Sequence, residues 1–161
     1  MPEFDYSKKG AYFITICTQH RRHILSTIVV GEGAPLPRFA VARLSRFGEI
    51  AKYWIEGIPE KYPAVSVDRY VIMPNHIHLL LEIHNNDGRG DPSPTIDGVV
   101  GWFKYQVTRD INLARSAENE RVFQRSFYDH VIRNREDYEE IVRYIHENPM
   151  RWEFDRFYKE E

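Results

Sequence analysis

Hydrophobic and polar positions change period several times along this 161-residue chain, and each change marks an element. Residues 12–18 are a β-branched and aromatic run that predicts a strand, and residues 24–30 predict a second, shorter one. Gly31-Glu-Gly-Ala-Pro-Leu-Pro37 predicts a turn-rich connection. From Leu44 the apolar positions Leu44, Phe47, Ile50, Ala51, Trp54, Ile55 and Ile58 recur at helical spacing, with Ser45 near the start and Pro59 at the close. Residues 65–73 and 76–83 form a predicted hairpin around Pro74-Asn75, residue types suited to the second and third places of a tight turn. Residues 85–94, rich in Gly, Pro, Asp and Asn, predict an exposed loop. A second amphipathic helix is expected over 96–113, a strand over 127–132 and a last helix over 137–147.

Strands and helices in this order predict an α+β fold of ferredoxin-like, RRM-like type: one antiparallel sheet with helices packed on one face. Within 76–83 the strand alternation places Ile77, Leu79, Leu81 and Ile83 on one face and His76, His78, Leu80 and Glu82 on the other. The apolar set belongs against the helices. The two histidines therefore lie side by side on the opposite face, which stays open unless another helix crosses it. Two neutral imidazoles so placed can share one divalent metal ion. A chance His-x-His is the competing reading, and a metal site needs partners from elsewhere in the chain.

The last helix supplies candidates. At about 100° per residue, Tyr138, Ile141, Val142 and Ile145 make an apolar docking stripe, while Tyr144 and Asn148 share one flank a turn apart. Tyr138 fits simple packing. Tyr144 and Asn148 can face a site while their helix stays anchored, although Asn148 before Pro149 equally suits a helix end.

Composition narrows the class. The length suits one core, so residues 1–161 read as a single domain, with 153–161 a short acidic and aromatic tail. No run of about 18 apolar residues predicts a membrane span, residues 1–13 lack a signal-peptide pattern, and cytoplasmic residence is the default expectation. The single cysteine, Cys17, excludes an internal disulfide and a cysteine-rich zinc site. Net charge is −2 but uneven: residues 19–46 carry five Arg against one Glu, and residues 100–135 carry seven Lys and Arg against four acids. Residues 136–161 carry nine acids against four bases. The two basic stretches could converge on phosphates, and solvated helix faces explain them equally well.

Three segments in sequence carry a resemblance: Met73-Pro-Asn-His-Ile-His-Leu79, Phe123-Gln-Arg-Ser-Phe-Tyr-Asp-His130 and Tyr144-Ile-His-Glu-Asn-Pro149. Together with Leu44-Ser-Arg-Phe-Gly-Glu-Ile50 and the Asn-Pro-x-x-Trp ending at Trp152, the chain resembles the single-tyrosine HUH transposases. Within that family it is most similar to the repeat-associated tyrosine transposases, relatives of the small insertion-sequence transposases. The resemblance spans residues 12–152. It implies that His76 and His78 hold a divalent metal, Mg²⁺ or Mn²⁺, and that Tyr144 is the nucleophile. It places Asn148 where relatives carry a polar metal ligand, often Gln; Asn is one methylene shorter. The implied substrate is single-stranded DNA folded into hairpin ends, cut through a covalent 5′-phosphotyrosine. The resemblance leaves a homodimer and a monomer both open.

Arg121, Arg125, Arg133, Arg135 and Arg143 bracket or lie within the expected catalytic helix and are the candidate DNA contacts, with Arg21, Arg22, Arg38, Arg43 and Arg46 as a second cluster. Phe123, Phe127, Tyr128 and Trp102 are candidate base-stacking platforms. Two other readings compete: a catalytically silent DNA- or RNA-hairpin-binding module on the same fold, and a two-histidine phosphodiesterase. The latter class needs separated His-x-Ser/Thr motifs, and His78 is followed by Leu79-Leu80.

Overall fold

The computed structural model describes residues 10–31, 40–84 and 94–154. The expected loop at 85–94, except Pro94, the expected connection at 31–37, except Gly31, Arg38 and the tail beyond 154 lie outside them. In chain order the elements are β1 (Ala11–Cys17), β2 (Ser26–Val30), β3 (Ala40–Leu44), α1 (Arg46–Glu56), α2 (Ile58–Lys61), β4 (Val65–Ile72), β5 (His76–Ile83), α3 (Ile96–Ala114), β6 (Tyr128–Val131) and α4 (Arg135–Glu147). A short 3₁₀ segment, Asn148–Phe154, follows α4 directly.

β4, β5, β1 and β6 pair antiparallel in that spatial order. Numbered only among themselves and read from the β6 edge, the four strands run 4-1-3-2, with α1 after the first and α3 after the third. This is the ferredoxin-like architecture that the order of elements predicts. β2 and β3 form a separate two-stranded ribbon. The sequence pattern did not show β3, because its five residues alternate only between partial and full exposure and run directly into the helix.

Ile14, Ile16, Ile77, Leu79 and Leu81 form one apolar face of the sheet, buried against Ala51 and Ile55 of α1 and Val99, Phe103, Val107 and Ile111 of α3. Ser45, Thr95 and Asn134 cap α1, α3 and α4, each accepting from the backbone N–H three residues on. Such a cap satisfies one orphan donor and contributes about 1 kcal/mol. The helical pattern that predicted one helix through Ile58 resolves into α1 and α2, broken at Gly57, and Pro59 falls in the first turn of α2 rather than after a helix. At Gly48 the backbone of α1 lies so close to the chain that an added Cβ would run into the carbonyl oxygen of Leu25.

The second face is covered too. Tyr138, Ile141 and Ile145 of α4 pack with Ala11, Leu80 and Ile132, and with Phe13 and Val71, in a separate small core. α4 thus crosses the face that carries the histidines. His76 is 0% and His78 1% exposed, so the side expected to stay open is closed by the helix that carries Tyr144.

Candidate active site

β1 and β5 bring the site together through their register. Cys17 pairs with His76, Thr15 with His78 and Phe13 with Leu80, and residues paired directly across two strands project from the same face. Thr15 Oγ1 lies 2.9 Å from His78 Nδ1. Asn75 Oδ1 lies 2.8 Å from His76 Nδ1. With Nδ1 of each ring engaged, the buried Nε2 atoms are the nitrogens that can meet a metal.

Tyr144, Asn148 and Trp152 repeat every four residues across the end of α4 and the 3₁₀ segment that continues it. The outer two touch the histidines. The Tyr144 ring meets His78 edge-on at 5.2 Å between centroids, and Trp152 stacks on His76 at 6.0 Å. The histidine rings are 4.6 Å apart. Phe13 stacks on His78 at 5.0 Å and meets Tyr144 edge-on at 6.0 Å. Between Tyr144 and Trp152 in the chain, Asn148 is 1% exposed, and its Oδ1 is buried with no hydrogen-bond partner among the described residues. A buried amide oxygen without a donor is costly, and a cation beside it would remove that cost.

These donor types, two imidazole nitrogens and one amide oxygen, suit a small divalent metal. Among the described residues no three His, Cys, Asp or Glu side chains cluster as a metal site. Nitrogen ligands favour Mn²⁺ or later metals over Mg²⁺ in raw affinity.

Tyr138 lies on the docking stripe, as its position in the helix predicts, and it does more than pack. Its hydroxyl donates a hydrogen bond to Asp68, which occupies a register shift in β4 between Val67 and Arg69. Burial, then the carboxylate, pushes the phenol up to about 12. Tyr138 thereby clasps α4 to the sheet edge, and Tyr144, six residues on, is carried about 9 Å further along the helix.

The candidate DNA-binding arginines divide by position. Val122 O accepts from Gln19 N at 2.8 Å and Gln124 N donates to Cys17 O at 2.9 Å, which ties the 121–125 segment to the histidine end of β1. Arg121 and Arg125 flank that segment, and both are exposed. Arg21 and Arg22 lie at the same end, in the turn after β1. Arg133 and Arg135 lie at the opposite end, where Ile132 N donates to Ala11 O. Six strand residues, about 20 Å, separate the two ends. Arg135 is also paired with Glu139 at 3.2 Å. Arg143 is exposed on α4, Arg43 is exposed on β3, and Arg46 donates to Ala114 O.

Of the four candidate stacking platforms, Phe123 is buried, and Phe127 and Trp102 pack on the main core. Tyr128 is 51% exposed and paired with Thr15, beside the histidine face. Sequence reasoning did not single out Thr15, Asn75, His23 or Phe13 as site residues. Only the alternation along β1, which puts Phe13 and Thr15 on one face, carried a signal for them. His23 joins through Trp152, their rings 5.4 Å apart.

A ferredoxin-like sheet with a buried histidine pair, faced by a tyrosine from a helix laid across it, defines the class of protein. The chain belongs to the IS200-like transposase family, whose model, "Transposase IS200 like", matches residues 7–148. It is 31% identical over 173 residues to an uncharacterised protein of Haemophilus influenzae, covering 98% of this chain and 90% of that one. It is 24% identical over 164 residues to a REP-associated tyrosine transposase of Escherichia coli K12, covering 96% and 81%. Among solved structures, a REP-associated tyrosine transposase bound to a REP hairpin shares the fold with a TM-score of 0.56 at 21% identity, covering 94% of this chain and 74% of that one. Among the described residues no helix is long and apolar enough to cross a membrane.

Proposed function

We propose that this protein is a metal-dependent endonuclease and strand transferase for single-stranded DNA that works through a covalent 5′-phosphotyrosine on Tyr144. The observation that carries the reading is the edge-on contact of Tyr144 with His78, with the buried Asn148 amide one turn further on. His76, His78 and Asn148 would hold the metal, which when bound supplies positive charge against a non-bridging phosphate oxygen.

Tyr144 acts as nucleophile. Its oxygen bonds to phosphorus, the bond from phosphorus to the 3′ oxygen breaks, and that oxygen takes up a proton to become a 3′-hydroxyl. A phenol ordinarily ionises near 10, so at pH 7 it requires activation where it attacks. The phosphotyrosine keeps the energy of the broken ester, and the 3′-hydroxyl of a second strand reverses the step without a nucleotide cofactor. Phe13 orients the reacting rings by packing against both His78 and Tyr144. Arg121, Arg125, Arg21 and Arg22 offer phosphate contacts at the histidine end, and exposed Tyr128 offers a face on which a base can stack.

The hairpin named for the solved relative makes hairpin-bearing single strands the substrate to test. A library of such strands with randomised flanks, labelled at the 3′ end, is incubated with Mn²⁺ and resolved on a denaturing gel. A labelled protein adduct is expected. Hairpin binding with no adduct from any member would favour the silent binding module instead.

A further inference from the structure

Two hydroxyl- and amide-bearing residues contact the histidine rings from behind, and their chemistry differs. The Asn75 side-chain oxygen can only accept a hydrogen bond, so the His76 Nδ1 beside it at 2.8 Å must carry a proton. A neutral imidazole protonated at Nδ1 has its lone pair on Nε2. The orientation of the amide is itself determined: Asn75 Nδ2 points at Arg21 O, 3.4 Å away, which only an NH₂ group can satisfy. Asn75 is 0% exposed, and its carbonyl accepts from Thr18 N at 3.0 Å, so neither end of the residue is loose.

The acceptor for that amide is presented by an unfavourable piece of backbone. His20 and Arg21 both adopt left-handed conformations, φ 59° and 53°, a region that side-chain-bearing residues rarely occupy. The turn aims Arg21 O at Asn75. His78 is held differently. Its Nδ1 partner is the Thr15 hydroxyl, which can donate or accept, so this contact positions the ring without choosing its tautomer.

We infer that Asn75 is a positioning residue that locks His76 with its Nε2 lone pair ready for a metal before any metal arrives, braced by the left-handed His20–Arg21 turn, whereas Thr15 only orients His78. The inference rests on the metal role proposed above, but its first test does not. Free histidine favours the opposite tautomer, with the proton on Nε2, so a locked Nδ1–H form is diagnostic.

The metal-free protein is labelled with ¹⁵N-histidine, and two-bond proton–nitrogen correlation spectra are recorded. His76 is expected to be a pure Nδ1–H tautomer in the native chain. In Asn75→Ala it should shift toward Nε2–H. Thr15→Val should alter the His78 signals and leave those of His76 in place. Mn²⁺ titration followed by electron paramagnetic resonance should then show affinity about 10- to 100-fold weaker for Asn75→Ala, the usual scale for losing such a support. His76 found as Nε2–H in the native chain overturns the inference. So does an unchanged tautomer in Asn75→Ala. A locked tautomer in a native chain that fails to bind Mn²⁺ would leave the lock standing and overturn the metal role, so the two failures are distinguishable.

Discussion

The rings of Tyr144 and His78 meet edge-on, 5.2 Å between centroids and 65° between planes, with Phe13 against both. A helix laid across the sheet, not one beside it, delivers this contact. It sets the half-buried Tyr144 ring against the buried His78. Tyr144→Phe is expected to abolish the covalent adduct while leaving hairpin binding in place. Stability should move by less than about 1.5 kcal/mol, the scale of one hydrogen bond. Denaturing gels with peptide mapping check this, and an adduct on any other tyrosine would refute the assignment.

Tyr138→Phe separates from Tyr144→Phe on both measurements. It keeps the nucleophile, so the adduct persists, but it removes a hydrogen bond to the Asp68 carboxylate. Bonds to charged groups contribute about 1.5–3 kcal/mol, reduced here because Asp68 is exposed. A loss of about 1–2 kcal/mol in urea unfolding is expected.

His76→Ala and His78→Ala should each eliminate Mn²⁺-dependent cleavage. An open histidine face would make these changes neutral for the fold. Both rings are buried, so each variant should instead lose about 1–3 kcal/mol through the cavity left behind. A folded variant with undiminished cleavage would remove that histidine from the mechanism.

Arginine variants test the division of charge between the two ends of the sheet. Arg125→Ala should lower the salt slope of binding to a short hairpin-flank oligonucleotide by roughly 0.7, the value for one phosphate contact on a single strand. Arg133→Ala, at the far end of β1, should leave that slope unchanged. Equal effects would show that the strand runs the full length of the sheet.

Alkaline titration probes Tyr70 and Tyr138. Burial, and then Glu56 and Asp68 respectively, pushes Tyr70 and Tyr138 up to about 12. Their unfolded counterparts ionise near 10, so the stabilising contribution is complete below that pH and is lost as pH rises toward 12. Phenolate absorbance should show Tyr70 and Tyr138 titrating late in the native chain, and one late-titrating tyrosine fewer in Tyr138→Phe. Titration of all tyrosines near 10 would contradict the hydrogen bonds to Glu56 and Asp68.

Period and motif were enough for the α+β class, for the sides on which Ile77, Leu79, Leu81 and the histidines fall, and for the separation of Tyr138 from Tyr144 around α4. These are local properties. Strand and helix periods are set by backbone geometry within a few residues, and the amino-acid order carries them directly. Gly48 marks the limit of such reading: propensity alone makes Ala better there by about 1 kcal/mol, yet an added Cβ would meet Leu25 O from a distant turn. Three further outcomes belonged to tertiary structure. α4 covers the histidine face because Leu80, Phe13 and Ile132 leave apolar surface there that only a second helix layer can bury. Thr15 reaches His78 because β1 and β5 pair in one register and not its neighbour, and a slip of one residue would turn Thr15 to the other face. Asn75, a turn-forming residue by its position in the chain, became the support of His76 because the His20–Arg21 turn folds back to hold its amide. Those contacts join residues far apart in sequence, and the free energy that selects them is paid out only when the whole sheet and both of its covering layers pack at once.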